Sequence, residues 1–329
     1  MIIPRPPYTK RKRGKGLKKK LFFAGICFLL VFLLANPEAA LLAARDGLSL
    51  WFNTLLPTLL PFLILTGLLM NIKISCQIPK PGIRLCKTLF GLSPWGMYAF
   101  LFGKLLGFPV GAKLASDLTY SGKICRQEGE YLLTFCSNPS LVFLLTFLGQ
   151  TCLKGRYPAR DLLIPLFLAD LCCMLFFRFF VYKGCTATDH MWPDPDAIAE
   201  KKTSQACSTG ALLDVCIMNG FETITRLGGY ILLFSVLSPC ISQCPLIPDT
   251  FKEILLCIME LTTGLNRIAS LNLPERTIYL AAMTLSSFGG LCVAAQTKSV
   301  LDGRLSFFPY ASAKCISTIL TLCILLIGT

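Results

Sequence analysis

Ten apolar blocks separated by short polar connections leave this chain few ways to fold. They run over 21–35, 47–72, 95–110, 131–152, 161–182, 207–218, 228–246, 251–271, 277–295 and 305–327. In hydrocarbon every backbone N–H and C=O must find a partner within the chain, so such segments cross a membrane as helices. A full crossing takes about 20 residues, which leaves 21–35 and 207–218 as tilted, re-entrant or interfacial. Only 15% of the 329 residues are charged, against about a quarter in a soluble domain. The expectation is an all-α polytopic membrane protein with about eight to ten transmembrane helices.

The net charge of +14 does not point to nucleic acid, because much of it sits at one end. Arg5, the run Lys10, Arg11, Lys12 and Arg13, then Lys15 and Lys18 to Lys20 all precede the first apolar block. A basic cluster placed there is the cytoplasmic anchor of the positive-inside rule and can also touch anionic lipid headgroups. Lys73, Lys80, Arg84 and Lys87, then Lys154, Arg156 and Arg160, return to that side after successive pairs of spans. The acidic connection 183–205 falls opposite. The block 21–35 reads as an uncleaved signal anchor. Seventeen cysteines are an odd number, many lie in apolar blocks, and no C-x-x-C occurs, so most read as small packing residues. Cys240 and Cys244 are close enough in sequence to pair.

Gly107-Phe108-Pro109-Val110-Gly111-Ala112-Lys113 interrupts the block 95–110. Proline removes a backbone donor and glycine weakens a helix, so the helix breaks here. Such a break at membrane depth survives only where it is buried in protein or lines a watery cavity. Otherwise the segment simply ends, with Lys113 at the interface. The second half echoes the first in order. Gly47 and Gly220 each open a long segment, Thr262-Thr263-Gly264 answers Gly107 to Gly111, and Ser287-Phe288-Gly289-Gly290 answers Ser137-Asn138-Pro139-Ser140. That order suggests an internal repeat, which in transporters is often inverted across the membrane. The organisation expected is a basic tail over 1–20, an anchor helix and connection over 21–46, a repeat over 47–182, a polar loop over 183–206 and a second repeat over 207–329.

These residues carry a resemblance. Gly47-Leu48-Ser49-Leu50-Trp51 with Leu59-Leu60-Pro61-Phe62, the Gly107 to Lys113 motif and Cys136-Ser137-Asn138-Pro139-Ser140 make up its first half. Glu260-Leu261-Thr262-Thr263-Gly264 and Ser287-Phe288-Gly289-Gly290-Leu291 make up its second. From Gly47 onward the chain resembles the YlbJ-type sporulation integral membrane proteins, a branch of the nucleoside-recognition or Gate-domain families. The resemblance implies two Gate-like repeats, a bacterial multi-pass plasma-membrane protein, and transport of dipicolinic acid across the outer forespore membrane.

Ionisable residues inside apolar segments are functional candidates, each with a structural alternative. Lys104 can snorkel to an interface. Lys113 can face a cavity or the interface. Asp170 and Arg178 can pair along one helix. Glu222 and Arg226 have the favourable i,i+4 order for a local ion pair. Glu260 can coordinate Na⁺, carry a coupling proton, or bind the amides freed at the break. For a small anionic solute the candidate binding set is Gly107, Pro109, Gly111, Lys113, Ser137, Asn138, Arg226, Glu260, Thr263, Gly264, Ser287 and Gly289. Lys113 and Arg226 supply charge, and half-helix N-termini supply amide donors. No cofactor is expected, the coupling ion is left open with Na⁺ or H⁺ possible, and a homo-oligomer is possible. An enzyme fits poorly: the single histidine, His190, cannot build a histidine-rich metal site. The competing functions are a non-transporting assembly scaffold, which needs no paired backbone breaks, and a carrier of nucleosides or another small solute.

Overall fold

The computed structural model describes residues 13–71, 89–183, 209–245, 247–301, 303 and 305–328. Regular structure among them is entirely helical. Arg13–Ala35 is α1; Pro37–Leu50 (α2) and Leu56–Asn71 (α3) are joined through a wide π-helical turn, Trp51–Leu55. Then follow Pro94–Leu106 (α4), Val110–Tyr120 (α5), Arg126–Leu132 (α6), Leu141–Cys152 (α7) and Ala159–Val181 (α8). The second half holds Thr209–Ser242 (α9), Asp249–Met259 (α10) and Leu261–Ser270 (α11). Glu275–Phe288 (α12), Gly290–Val300 (α13) and Phe308–Gly328 (α14) complete it.

Five stretches are long and apolar enough to cross a membrane: Pro37–Leu65, Ala159–Val181, Gly210–Ser242, Glu275–Val300 and Phe308–Gly328. Phe23–Ala35 and Leu141–Cys152 are apolar but shorter. The protein is therefore an all-α, multi-pass membrane protein. Several expected blocks divide differently. The blocks 207–218 and 228–246 are one helix, α9, because Gly220, Gly228 and Gly229 do not interrupt it. Gly220 and Gly228 instead let the neighbouring helix approach. A Cβ on Gly228 would lie 2.6 Å from the Trp51 indole, whose Nε1 donates to the Ile224 carbonyl at 2.8 Å. The blocks 131–152, 251–271 and 277–295 each break internally, at residues 133–140, at Glu260 and at Gly289. The connections 72–88 and 184–208, on which part of the orientation argument rests, lie outside the described residues. Cys240 and Cys244 are free thiols, not a disulfide.

The order of elements recurs. A long helical stretch (α2–α3, then α9) leads to a pair of short helices joined by an interruption (α4/α5, then α10/α11). An interrupted helix (α6/α7, then α12/α13) and a long terminal helix (α8, then α14) follow. The α4/α5 pair folds back on itself about Gly107, which takes φ +74 as the C-cap of α4. Glycines permit that fold. A Cβ on Gly111 would meet the Cys136 carbonyl oxygen at 2.1 Å and the Gly103 Cα at 3.1 Å. The second pair bends sharply at Glu260, so that a Cβ on Gly264 would meet the Cys257 carbonyl at 2.1 Å.

Two apolar cores knit the halves together. One packs α4 to α6 (Trp95, Ala112, Ala115, Tyr131) and Phe135 of the break that follows with Leu301, Leu305, Tyr310 and Ala313 of the second half. The other packs α11 and α12 (Leu261, Leu265, Met283) with Phe143, Phe147 and Leu148 of the first. Each folded pair is thus buried against the opposite half.

Gly111→Val should abolish or strongly reduce folded protein, since the added carbons collide with fixed backbone rather than a flexible side chain. Gly229→Ala, where a Cβ meets nothing within 4 Å, should stabilise by up to about 1 kcal/mol. Monodispersity and thermal unfolding of the detergent-solubilised proteins would separate the two.

Candidate functional site

The interruptions converge. In the first half the Phe108 amide donates to the Asn138 carbonyl at 3.0 Å, and a Cβ on Gly107 would sit 2.6 Å from the Ser140 nitrogen. In the second, Gly290 approaches the Ile258 carbonyl and the Leu261 amide, with its built Cβ 3.1 and 3.2 Å away. The turn of each folded pair is therefore seated in the break of the helix that follows it. Ser140 caps α7 by accepting from the Phe143 amide at 3.1 Å.

Glu260 resolves the problem of exposed amides at its own bend. Its extended backbone ends α10, and its carboxylate accepts from the Thr262 and Thr263 amides at 3.1 and 2.7 Å and from Thr262 Oγ1 at 2.5 Å. Thr263 Oγ1 donates to the Glu260 carbonyl at 3.3 Å. A buried carboxylate on a helix N-terminus is held by charge-assisted hydrogen bonds and by the positive end of the helix dipole. Of the readings open for Glu260, the cap is the one that these bonds draw.

A cavity of about 140 Å³ opens between the halves. Gly107, Phe108, Pro109 and Lys113 line it from the first folded pair, Ser140 from the first break, and Glu260 and Thr262 from the second pair. Glu222 and Arg226 face it from α9, paired at 2.6 Å as their spacing predicts, and Gln296 from α13. Lys113 has no ion-pair partner among the described residues. Leu55, Leu59, Phe143 and Leu227 make the rest of the wall largely apolar. An apolar hollow with a few convergent polar groups is the usual form of a small-molecule site.

Of the twelve candidate residues, Gly107, Pro109, Lys113, Arg226 and Glu260 share this cavity. Asn138 and Ser287 lie beside it, lining a smaller space of about 20 Å³ with Lys104 and Asp170. The other five do not line either. Gly111 and Gly264 are consumed by close backbone packing, Thr263 by the cap, and Gly289 by a left-handed turn (φ +86) that ends α12. Ser137 is buried, and its hydroxyl has no hydrogen-bond partner among the described residues.

The smaller space carries a polar network that sequence reasoning assembled differently. Asp170 accepts from Lys104 Nζ at 2.5 Å, Asn138 Nδ2 at 2.8 Å and Ser317 Oγ at 3.3 Å. The expected pairing of Asp170 with Arg178 is not formed. Arg178 instead donates to the Leu89 carbonyl, eight residues along α8 being too far for one carboxylate to serve both. Lys104 does not snorkel to an interface, since it meets an acid at its own depth. Lys314 went unnoticed. Its ammonium donates to Asn138 Oδ1 at 2.5 Å and to the Ser287 carbonyl at 3.2 Å, joining the breaks of both halves. A signal existed: Tyr310, Lys314, Ser317 and Thr321 recur at helical spacing as one polar stripe on apolar α14.

The fold and cavity define a multi-pass helical membrane protein with a hollow where interrupted helices meet. No family model matches the sequence, and no solved structure does. The chain is similar to the sporulation integral membrane protein YlbJ of Bacillus subtilis (strain 168), at 25% identity over 316 residues, 87% of this chain and 77% of that protein.

Removing one partner from a buried charge pair costs about 3–5 kcal/mol, whereas an exposed pair contributes about 0–1 kcal/mol. Lys104 and Asp170 are partly buried, at 13% and 14% exposure, and lie toward the first case, so Asp170→Leu should destabilise the protein clearly and Glu222→Gln barely. Denaturant or thermal unfolding in detergent, run side by side, would read the contrast.

Proposed function

We propose that this chain is a YlbJ-like carrier of the sporulating cell, built from two Gate-like repeats, that moves a small anionic solute. The observation that carries the reading is the shared cavity. Both folded pairs and the first break present irregular backbone to one hollow, next to Lys113, which has no ion-pair partner among the described residues. Irregular backbone at membrane depth is tolerated where it is buried or lines a water-filled space, and carriers place their solutes against such breaks. A scaffold would have no use for that arrangement.

The anion preference rests on charge. Arg226 is offset by Glu222, and Glu260 is occupied by its own helix, which leaves Lys113 as the charge facing the cavity without an ion-pair partner among the described residues. The similarity to a sporulation protein favours dipicolinic acid as the solute and the outer forespore membrane as the location. An aromatic dicarboxylate suits a largely apolar wall, rich in leucine and valine with Phe108 and Phe143, that also carries Lys113.

The test is dipicolinate content in spores of a host lacking its own transporter, with and without this chain. Expression should restore it, and Lys113→Ala at equal abundance should lower accumulation by tenfold or more, the scale of a lost charged hydrogen bond (about 1.5–3 kcal/mol). No restoration by membrane-inserted protein would eliminate dipicolinate and favour a scaffold or another solute. Full activity of Lys113→Ala would remove Lys113 from the site.

A further inference from the structure

Lys314 is buried in the middle of an apolar helix, yet its ammonium is held as an inorganic cation would be. Its nearest ligands are oxygens, Asn138 Oδ1 at 2.5 Å and the Ser287 carbonyl at 3.2 Å. The Ser287 carbonyl belongs to the last turn of α12, where carbonyls lack helical partners and the helix dipole is negative. Asn138 passes the charge on: its Nδ2 donates to Asp170, which also binds Lys104 and Ser317. The Ser287 hydroxyl is bonded to Ser317 Oγ at 3.1 Å and accepts from Thr321 Oγ1 at 3.0 Å. The rings of Phe108 and Tyr310 stand 5.7 and 5.9 Å from the ammonium and present further negative faces.

Unwound helix segments with exposed carbonyls are where carriers coordinate soluble cations. Here an unwound segment of the first half, at Asn138, meets the last helical turn before the break of the second, at Ser287, and a covalently attached cation sits between them. We propose that Lys314 is a tethered cation filling a monovalent-cation site formed by Asn138 Oδ1 and the Ser287 carbonyl, so that no soluble cation is required there. Phe108 borders both this ammonium and the solute cavity, so the locked breaks support the wall against which the solute rests. Only that last consequence depends on the carrier reading; the site itself does not.

The experiment uses the purified full chain in detergent, with thermal midpoints measured in sodium, potassium, lithium and choline chloride at one ionic strength. The wild-type midpoint should be the same in all four. Lys314→Ser should have a lowered midpoint in choline, raised saturably by one of the alkali cations, by about 2 °C at tenfold excess over its dissociation constant. That rise should vanish when Asn138→Ala is added. A wild-type midpoint raised by Na⁺, and no longer so in Asn138→Ala, would show a soluble cation using the site beside the lysine and would overturn the proposal. A Lys314→Ser midpoint indifferent to every cation, or no folded Lys314→Ser protein in any of the four salts, would overturn it equally. None of these readouts involves solute movement, so the result stands apart from success or failure of the transport assay.

Discussion

Four interrupted helices leave backbone groups without helical partners in a setting that offers no water, and the rest of the structure follows from how those groups are satisfied. One solution is local: Glu260 turns its carboxylate onto two amides and a hydroxyl of the helix it opens, and Ser140 does the same for α7. A second is packing of backbone on backbone. Gly111 and Gly264 bring their chains within a methyl group's width of a carbonyl, and the Phe108 amide finds the Asn138 carbonyl. The third is long-range, with Lys314 reaching the Ser287 carbonyl in the last turn of α12. Each solution fixes the position of a break, and fixed breaks are what give the cavity its walls.

The distribution of charge follows the same logic. Within the bundle, the buried Lys314 and the partly buried Lys104 and Asp170 are joined through Asn138, so these charges are hydrogen-bonded rather than isolated. Nearer the cavity, Glu222 and Arg226 form a half-exposed pair one helical turn apart. Such a pair holds its geometry weakly. That network therefore acts as framework, while Lys113 and the Glu222–Arg226 pair stand at the cavity wall. Interlocking of the two halves adds to this, because each folded pair is buried against the other half and neither half completes its core alone.

The echo between the halves was legible because each break needs residues that tolerate it: Gly107 with Pro109, Asn138 with Pro139, and Gly289 with Gly290. Glu260 was legible as a carboxylate beside a Thr-Thr-Gly turn. By contrast, Gly220, Gly228 and Gly229 look the same in sequence and interrupt nothing, because at two of these positions the missing side chain serves a neighbouring helix. Asp170 was assigned to Arg178 on spacing along one helix. Its true partners lie 66, 32 and 147 residues away in sequence.

The sequence by itself determined the class: hydrocarbon demands internally satisfied backbone, so long apolar blocks become helices, and glycine and proline mark where some of them stop. It also determined the order of long and interrupted segments that recurs in the two halves. Only the tertiary structure decided which interruptions face a cavity, which glycines are spent on close packing, and which charges meet. Those outcomes depend on contacts between residues far apart in the chain. Lys314 is the clearest instance: a single lysine in an apolar helix acquires its role from Asn138 and Ser287, each supplied by a different half.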